Sequence, residues 1–90
     1  MSETREAMIK RLRMRSMRRG IKEMDLILSA YAGAHLADMS DAGLALYDKL
    51  LAENDHDIYG WIGGQFVVPD LYTYLIAQIA QGAHGVTRPG

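Results

Sequence analysis

The chain has 90 residues and a mass of 10.0 kDa, the size of one small domain with a single thin core. Apolar residues make up 49% and charged residues 23%, too apolar for a disordered chain, and the lack of cysteine excludes a disulfide scaffold, a cysteine-ligated metal and a cysteine nucleophile. The net charge of −1 conceals an asymmetry: residues 1–22 hold eight of the ten Lys/Arg and two acids, and the rest of the chain holds two bases and nine acids.

Residues 3–17 place Met8, Ile9, Leu12 and Ser16 at helical spacing, with Arg11, Arg15, Arg18 and Lys22 on one i, i+3, i+4 row. Glu3 and Glu6 suit the positive end of a helix dipole and the arginines its negative end. This predicts a helix with one basic face, stopped at Gly20, where glycine reaches the left-handed conformation at low cost. A second helix is predicted from about residue 21 to about residue 37. Met24, Ile27, Leu28 and Tyr31 form its apolar stripe, widened by Leu26 and Ala30, and Gly33 weakens its second half.

Ser40 is the predicted N-cap of a third helix, with Asp41 in its first turn, Leu44, Tyr47, Leu50 and Leu51 on its buried face, and an end near Glu53. Asn54-Asp55-His56-Asp57 reads as a turn or cap before a short fourth helix carrying Ile58, Trp61 and Ile62, which Gly63-Gly64 ends. Pro69-Asp70 opens a fifth helix with Leu71, Leu75, Gln78 and Ile79 on its face and Gly82 at its end, and residues 84–90 read as a loose tail. The predicted fold is all-α, a small single-domain bundle of about five short helices over residues 1–90. Residues 26–37 are the longest mostly apolar stretch, too short for a bilayer, so no membrane insertion is expected.

Chemistry has little to stand on. None of the three histidines has a helical partner, and adjacent residues such as Asp55, His56 and Asp57 diverge on a helix, so no metal site is expected. No nucleophile elbow or Gly-rich phosphate loop occurs, and an enzyme is not expected. Tyr31, Tyr47 and Trp61 are assigned to the core, and one of Tyr72 and Tyr74 to the surface. The methionines at 8, 14, 17 and 24 are read as core filling ahead of an adaptable binding surface.

The basic segment Arg11, Arg13, Arg15, Arg18 and Arg19 fits a nucleic-acid surface, recognition of carboxylates on a protein, or a solvated face balancing the acidic remainder. No aromatic residue precedes Tyr31, which counts against stacking on bases. In Arg18-Arg19-Gly20-Ile21-Lys22-Glu23-Met24-Asp25, the glycine lets the chain turn and brings Arg19 near Glu23. The two either pair, or Arg19 is offered to a partner, or the segment is a bare hinge.

Arg19-Gly20-x-x-Glu23 followed by Asp25 resembles the RGxxE motif of the succinate dehydrogenase assembly factor 2 family. Ser40-Asp41, Leu50-Leu51, Asp55 and Asp57, and Trp61 fit that family's pattern in order and spacing, over about residues 11–62. The resemblance implies a five-helix bundle that is not an enzyme. It implies binding to the flavoprotein subunit of succinate dehydrogenase, or of fumarate reductase, and promotion of covalent FAD attachment to a histidine of that subunit. It places Arg19, Gly20, Glu23 and Asp25, with Arg15 and Arg18, on the partner-facing surface; no nucleic-acid partner is expected, because the rest of the chain is acidic. Tight FAD binding by the isolated chain is not expected. Arg19 and Gly20 substitutions are expected to spare the fold and abolish partner maturation. With Glu3 and Glu6 the first residues do not resemble a mitochondrial presequence, and a bacterial cytoplasmic setting is expected. The competing reading is a small basic-faced helical module that binds nucleic acid or acts through a regulatory protein contact.

Overall fold

Three helices begin where a short polar side chain satisfies a backbone N–H that the helix leaves free. In the computed structural model, which describes residues 3–87 and the side chains of residues 3–83, Thr4 Oγ1 accepts from Ala7 N–H at 3.1 Å and starts α1 (Arg5–Arg15). Ser40 Oγ accepts from Gly43 N–H at 3.0 Å and starts α3 (Asp41–Leu51), as its position predicts. Asn54 Oδ1 accepts from His56 N–H at 2.8 Å and starts α4 (Asp55–Ile62). The other two helices are α2 (Lys22–His35), continued by a tight 3-10 turn Leu36–Asp38, and α5 (Thr73–Thr87), entered through a second 3-10 turn Asp70–Tyr72. Among the described residues there is no strand.

The all-α reading therefore holds, with α2 lying on α5, α1 on α3, and α4 on α5. Leu12 from α1, Met24, Ile27, Leu28 and Tyr31 from α2, Leu44, Tyr47, Leu50 and Leu51 from α3, Ile58 from α4, and Leu75, Ile76 and Ile79 from α5 form one core. Tyr47 sits at its centre, fully buried. Its hydroxyl shares a 2.6 Å hydrogen bond with Ser16 Oγ, which also donates to the Leu12 carbonyl at 2.8 Å. No buried side-chain polar atom among the described residues lacks a hydrogen-bond partner. No helix among them is long and apolar enough to cross a membrane.

Several expectations are corrected. Helix α1 stops at Arg15 rather than near Met17, and the left-handed residue after it is Arg18, with φ +56°, not Gly20. Arg18 and Lys22 therefore do not extend a row on α1. Helix α5 does not stop at Gly82, because Ala83 continues the buried stripe of Leu75, Ile76 and Ile79 and packing carries the backbone on to Thr87. Residues 88–90 of the expected tail lie outside the described residues. Gly63-Gly64 does end α4, with Gly64 at φ +78°. Trp61 is only half-buried, stacked at a tilt on the fully buried Tyr72, and Tyr74 is the exposed member of its pair. Leu71, Leu26, Met14 and Met17 all reach the surface, and of the described methionines only Met24 is fully buried.

Candidate protein-docking site

Residues 16–21 link α1 to α2 and reverse the chain at Arg18. A left-handed backbone at a residue with a side chain costs roughly 1–2 kcal/mol, so its surroundings must enforce it. Two carboxylates do so, each in the first turn of a helix, where the dipole favours a negative charge. Asp25, in α2, accepts the Arg19 backbone N–H through Oδ1. Asp55, which opens α4, accepts Arg19 Nε at 2.8 Å, lies 2.7 Å from Nη2, and accepts the Gly20 N–H at 2.5 Å. The rest of the Arg19 guanidinium is spent on carbonyls, Nη1 donating to Arg15 at 3.1 Å and Nη2 to Leu51 at 2.9 Å. Arg19 thereby ties the end of α1 to the end of α3 and the start of α4.

This clasp is largely enclosed: the Arg19 side chain is 12% exposed and that of Asp55 18%. Gly20 is needed here for close approach, since a Cβ on it would lie 3.2 Å from Asp55 Oδ2. Arg19 does not pair with Glu23. Glu23 is exposed at the start of α2, without an ion pair or hydrogen bond from its side chain among the described residues. The sequence marks Asp55 as part of a capping cluster and of the family's pattern, but its bond to Arg19 spans 36 positions, and no local pattern reports it.

The basic face divides in two. Arg11 and Arg15 both turn to Asp48 of α3, Arg11 Nη1 at 3.0 Å, and Arg11 also reaches Glu3 at 2.9 Å. The hydrogen bond from Arg11 holds the Asp48 carboxyl below the usual carboxylate range, and the hydrogen bonds to Glu3 first and Asp48 second raise the Arg11 guanidinium. Arg5 pairs with Asp41 at 2.8 Å. Lys10, Arg13, Arg18 and Lys22 remain without an ion pair among the described residues. Among the described residues no group of three or more His, Asp or Glu is placed to hold a metal. The segment thus offers a turn held by two carboxylates, with Arg18 and Glu23 exposed and without an ion pair among the described residues.

A family model described as "Flavinator of succinate dehydrogenase" matches residues 10–83. The chain belongs to this family. The match extends the resemblance beyond residues 11–62 into α5, and it covers α2, α3 and α4 whole and α1 from residue 10. Curated relatives are named "Succinate dehydrogenase assembly factor 2, mitochondrial". The one from Meyerozyma guilliermondii is 48% identical over 69 residues, 77% of this chain and 51% of the relative. The one from Schizosaccharomyces pombe is 43% identical over 68 residues, 76% of this chain and 49% of the relative. The one from Yarrowia lipolytica is 50% identical over 60 residues, 67% of this chain and 39% of the relative. The flavinator-family chain thus spans about half the length, or less, of these relatives.

Proposed function

We propose that this chain is an assembly factor, not an enzyme, that binds the flavoprotein subunit of succinate dehydrogenase and promotes covalent attachment of FAD to it. The observation that carries the reading is the family match over residues 10–83, and the relatives' shared name supports it. On this reading the flavoprotein forms its own flavin bond, and the factor holds it in a competent arrangement. The flavoprotein of fumarate reductase is a second proposed client. FAD is the client's group, so the isolated chain incubated with FAD should leave a desalting column without flavin absorbance; co-elution would refute this part. Nucleic acid is not proposed as a partner, because Arg5, Arg11, Arg15 and Arg19 are already paired with carboxylates and phosphate neutralisation draws on free cations. The proposed setting is a bacterial cytoplasm; the relatives are named mitochondrial, and fractionation alongside the client subunit decides the point.

The test is covalent flavin fluorescence. The chain is co-expressed with a succinate dehydrogenase flavoprotein subunit in a host lacking its own factor, and the flavin band is imaged on a denaturing gel. The band should depend on this chain. A band of equal strength without it would remove the proposed role.

A further inference from the structure

Helix α1 is attached to the protein differently from α2 and α3. Of its 11 residues only Leu12 is fully buried, with Met8 and Ile9 partly buried against the core, whereas α2 buries five residues and α3 four. Ion pairs supply the rest of its hold. Arg5 reaches Asp41 at 2.8 Å and donates to the Ala37 carbonyl at 3.2 Å and to the Met39 carbonyl. Arg11 meets Asp48 through two hydrogen bonds, of 3.0 and 3.1 Å, and Arg15 meets the same carboxylate. Nothing within α1 replaces these pairs, because it carries five bases, Arg5, Lys10, Arg11, Arg13 and Arg15, against one acid, Glu6. Arg11 and Arg15 stand one turn apart, where like charges repel, and Asp48 bonds to both. A helix this short is marginal in water by itself, so Asp48 holds α1 in place and also holds it helical.

The pairs differ in their access to solvent. The Arg5, Arg11 and Arg15 side chains are 41%, 37% and 36% exposed, within reach of dissolved ions, whereas Arg19 in the clasp is 12% exposed. The screening length falls from about 10 Å at 0.1 M salt to about 3 Å at 1 M, and exposed pairs weaken far more than enclosed ones. Just before the clasp, Ser16 is fully buried and hydrogen-bonded to Tyr47. One end of α1 is thus anchored in the core, and the remainder is held largely by charge.

We propose that α1 is a salt-released strap. Raised ionic strength frees residues 5–15 from α3, with Ser16 and the Arg19–Asp55 clasp as the fixed end, while α2 to α5 keep their packing. Release uncovers the part of the core that Leu12 closes and unpairs Arg5, Arg11 and Arg15. The strap is a property of this chain's own fold and operates whichever partner the chain serves.

Hydrogen–deuterium exchange of the full chain tests this, read by mass spectrometry at one pH in about 20 mM and about 500 mM NaCl. Backbone amides of residues 9–15 should exchange about tenfold faster at the higher salt, and those of α2 and α5 should stay within about twofold of their low-salt rates. Asp48→Asn should already give fast exchange over residues 9–15 at low salt and should remove most of the salt response. Should Asp48→Asn loosen the whole chain, Asp41→Asn, which breaks only the pair at the far end of α1, makes the same comparison. Exchange over residues 9–15 that is the same at both salt concentrations in the wild-type chain would assign the hold to the packing of Leu12 and overturn the strap. Equal acceleration of α1 and α5 by salt would show that α1 opens only with the whole fold, and would overturn it too.

Discussion

Arg19 satisfies a carboxylate, two carbonyls and, through its backbone N–H, a second carboxylate. Removing one partner of an enclosed ion pair leaves the other charge desolvated and unpaired, at about 3–5 kcal/mol when burial is complete. Here both side chains keep some solvent, so Arg19→Ala should cost about 2–3 kcal/mol of a total near 5–15 kcal/mol. That is a drop in melting temperature of roughly 10–20 °C by calorimetry for a chain this small. Arg19→Lys should recover only part of it, since an ammonium cannot reach Asp55, Arg15 and Leu51 together as a planar fork does. An Arg19→Ala variant as stable as wild type would show the clasp to be energetically idle. Replacement of Arg19 is therefore expected to cost stability as well as docking, where the sequence alone suggested a spared fold. Gly20→Ala is milder, because Asp55 need retreat only a few tenths of an ångström from the new methyl group.

Helix ends show where local rules suffice. Ser40 caps α3 and Gly63-Gly64 closes α4 as their positions imply, because a cap concerns only backbone groups within one turn. Gly82 looks equally like a stop, yet Ala83 packs into the core and α5 runs on. Gly33 likewise lies inside α2. A Cβ at either position meets nothing within 4 Å, so Gly33→Ala and Gly82→Ala should each stabilise the protein by about 0.5–1 kcal/mol through helix propensity. The double variant should melt several degrees higher; a lower melting temperature would show that a side chain at one of these positions disturbs the packing of its helix.

Across the whole molecule, the charge asymmetry is partly spent on assembly. Arg11 and Arg15 of α1 are drawn to Asp48 of α3, and the resulting stability depends on pH. The folded Asp48 carboxyl lies below its unfolded value of about 3.9, so its contribution is complete above that pH and is lost as pH falls through the folded value. Asp48→Asn should therefore flatten the acid limb of melting temperature against pH. The alkaline limb has the opposite sign. Burial pushes the Tyr47 hydroxyl up to about 12, above the unfolded value near 10. Its contribution is complete below about pH 10 and is lost as pH rises towards 12, so the protein should lose stability over that window and Tyr47→Phe should lessen the loss. An alkaline limb unchanged by Tyr47→Phe would place the sensitivity elsewhere.

The all-α architecture, the order of five helices, the core faces of α2 and α3 and the capping Ser40 were all legible from residue spacing, because helical periodicity and capping act over three or four positions. The ordered set around Arg19-Gly20-x-x-Glu23 likewise pointed to the family that the match over residues 10–83 establishes. Which charges face inward was a different matter. Arg19 and Asp55 are 36 positions apart and Arg15 and Asp48 33, and only the packing of α1, α3 and α4 brings them together. The same packing covers Met24 and leaves Met14 and Met17 in water, a distinction between identical side chains that no spacing within one helix contains.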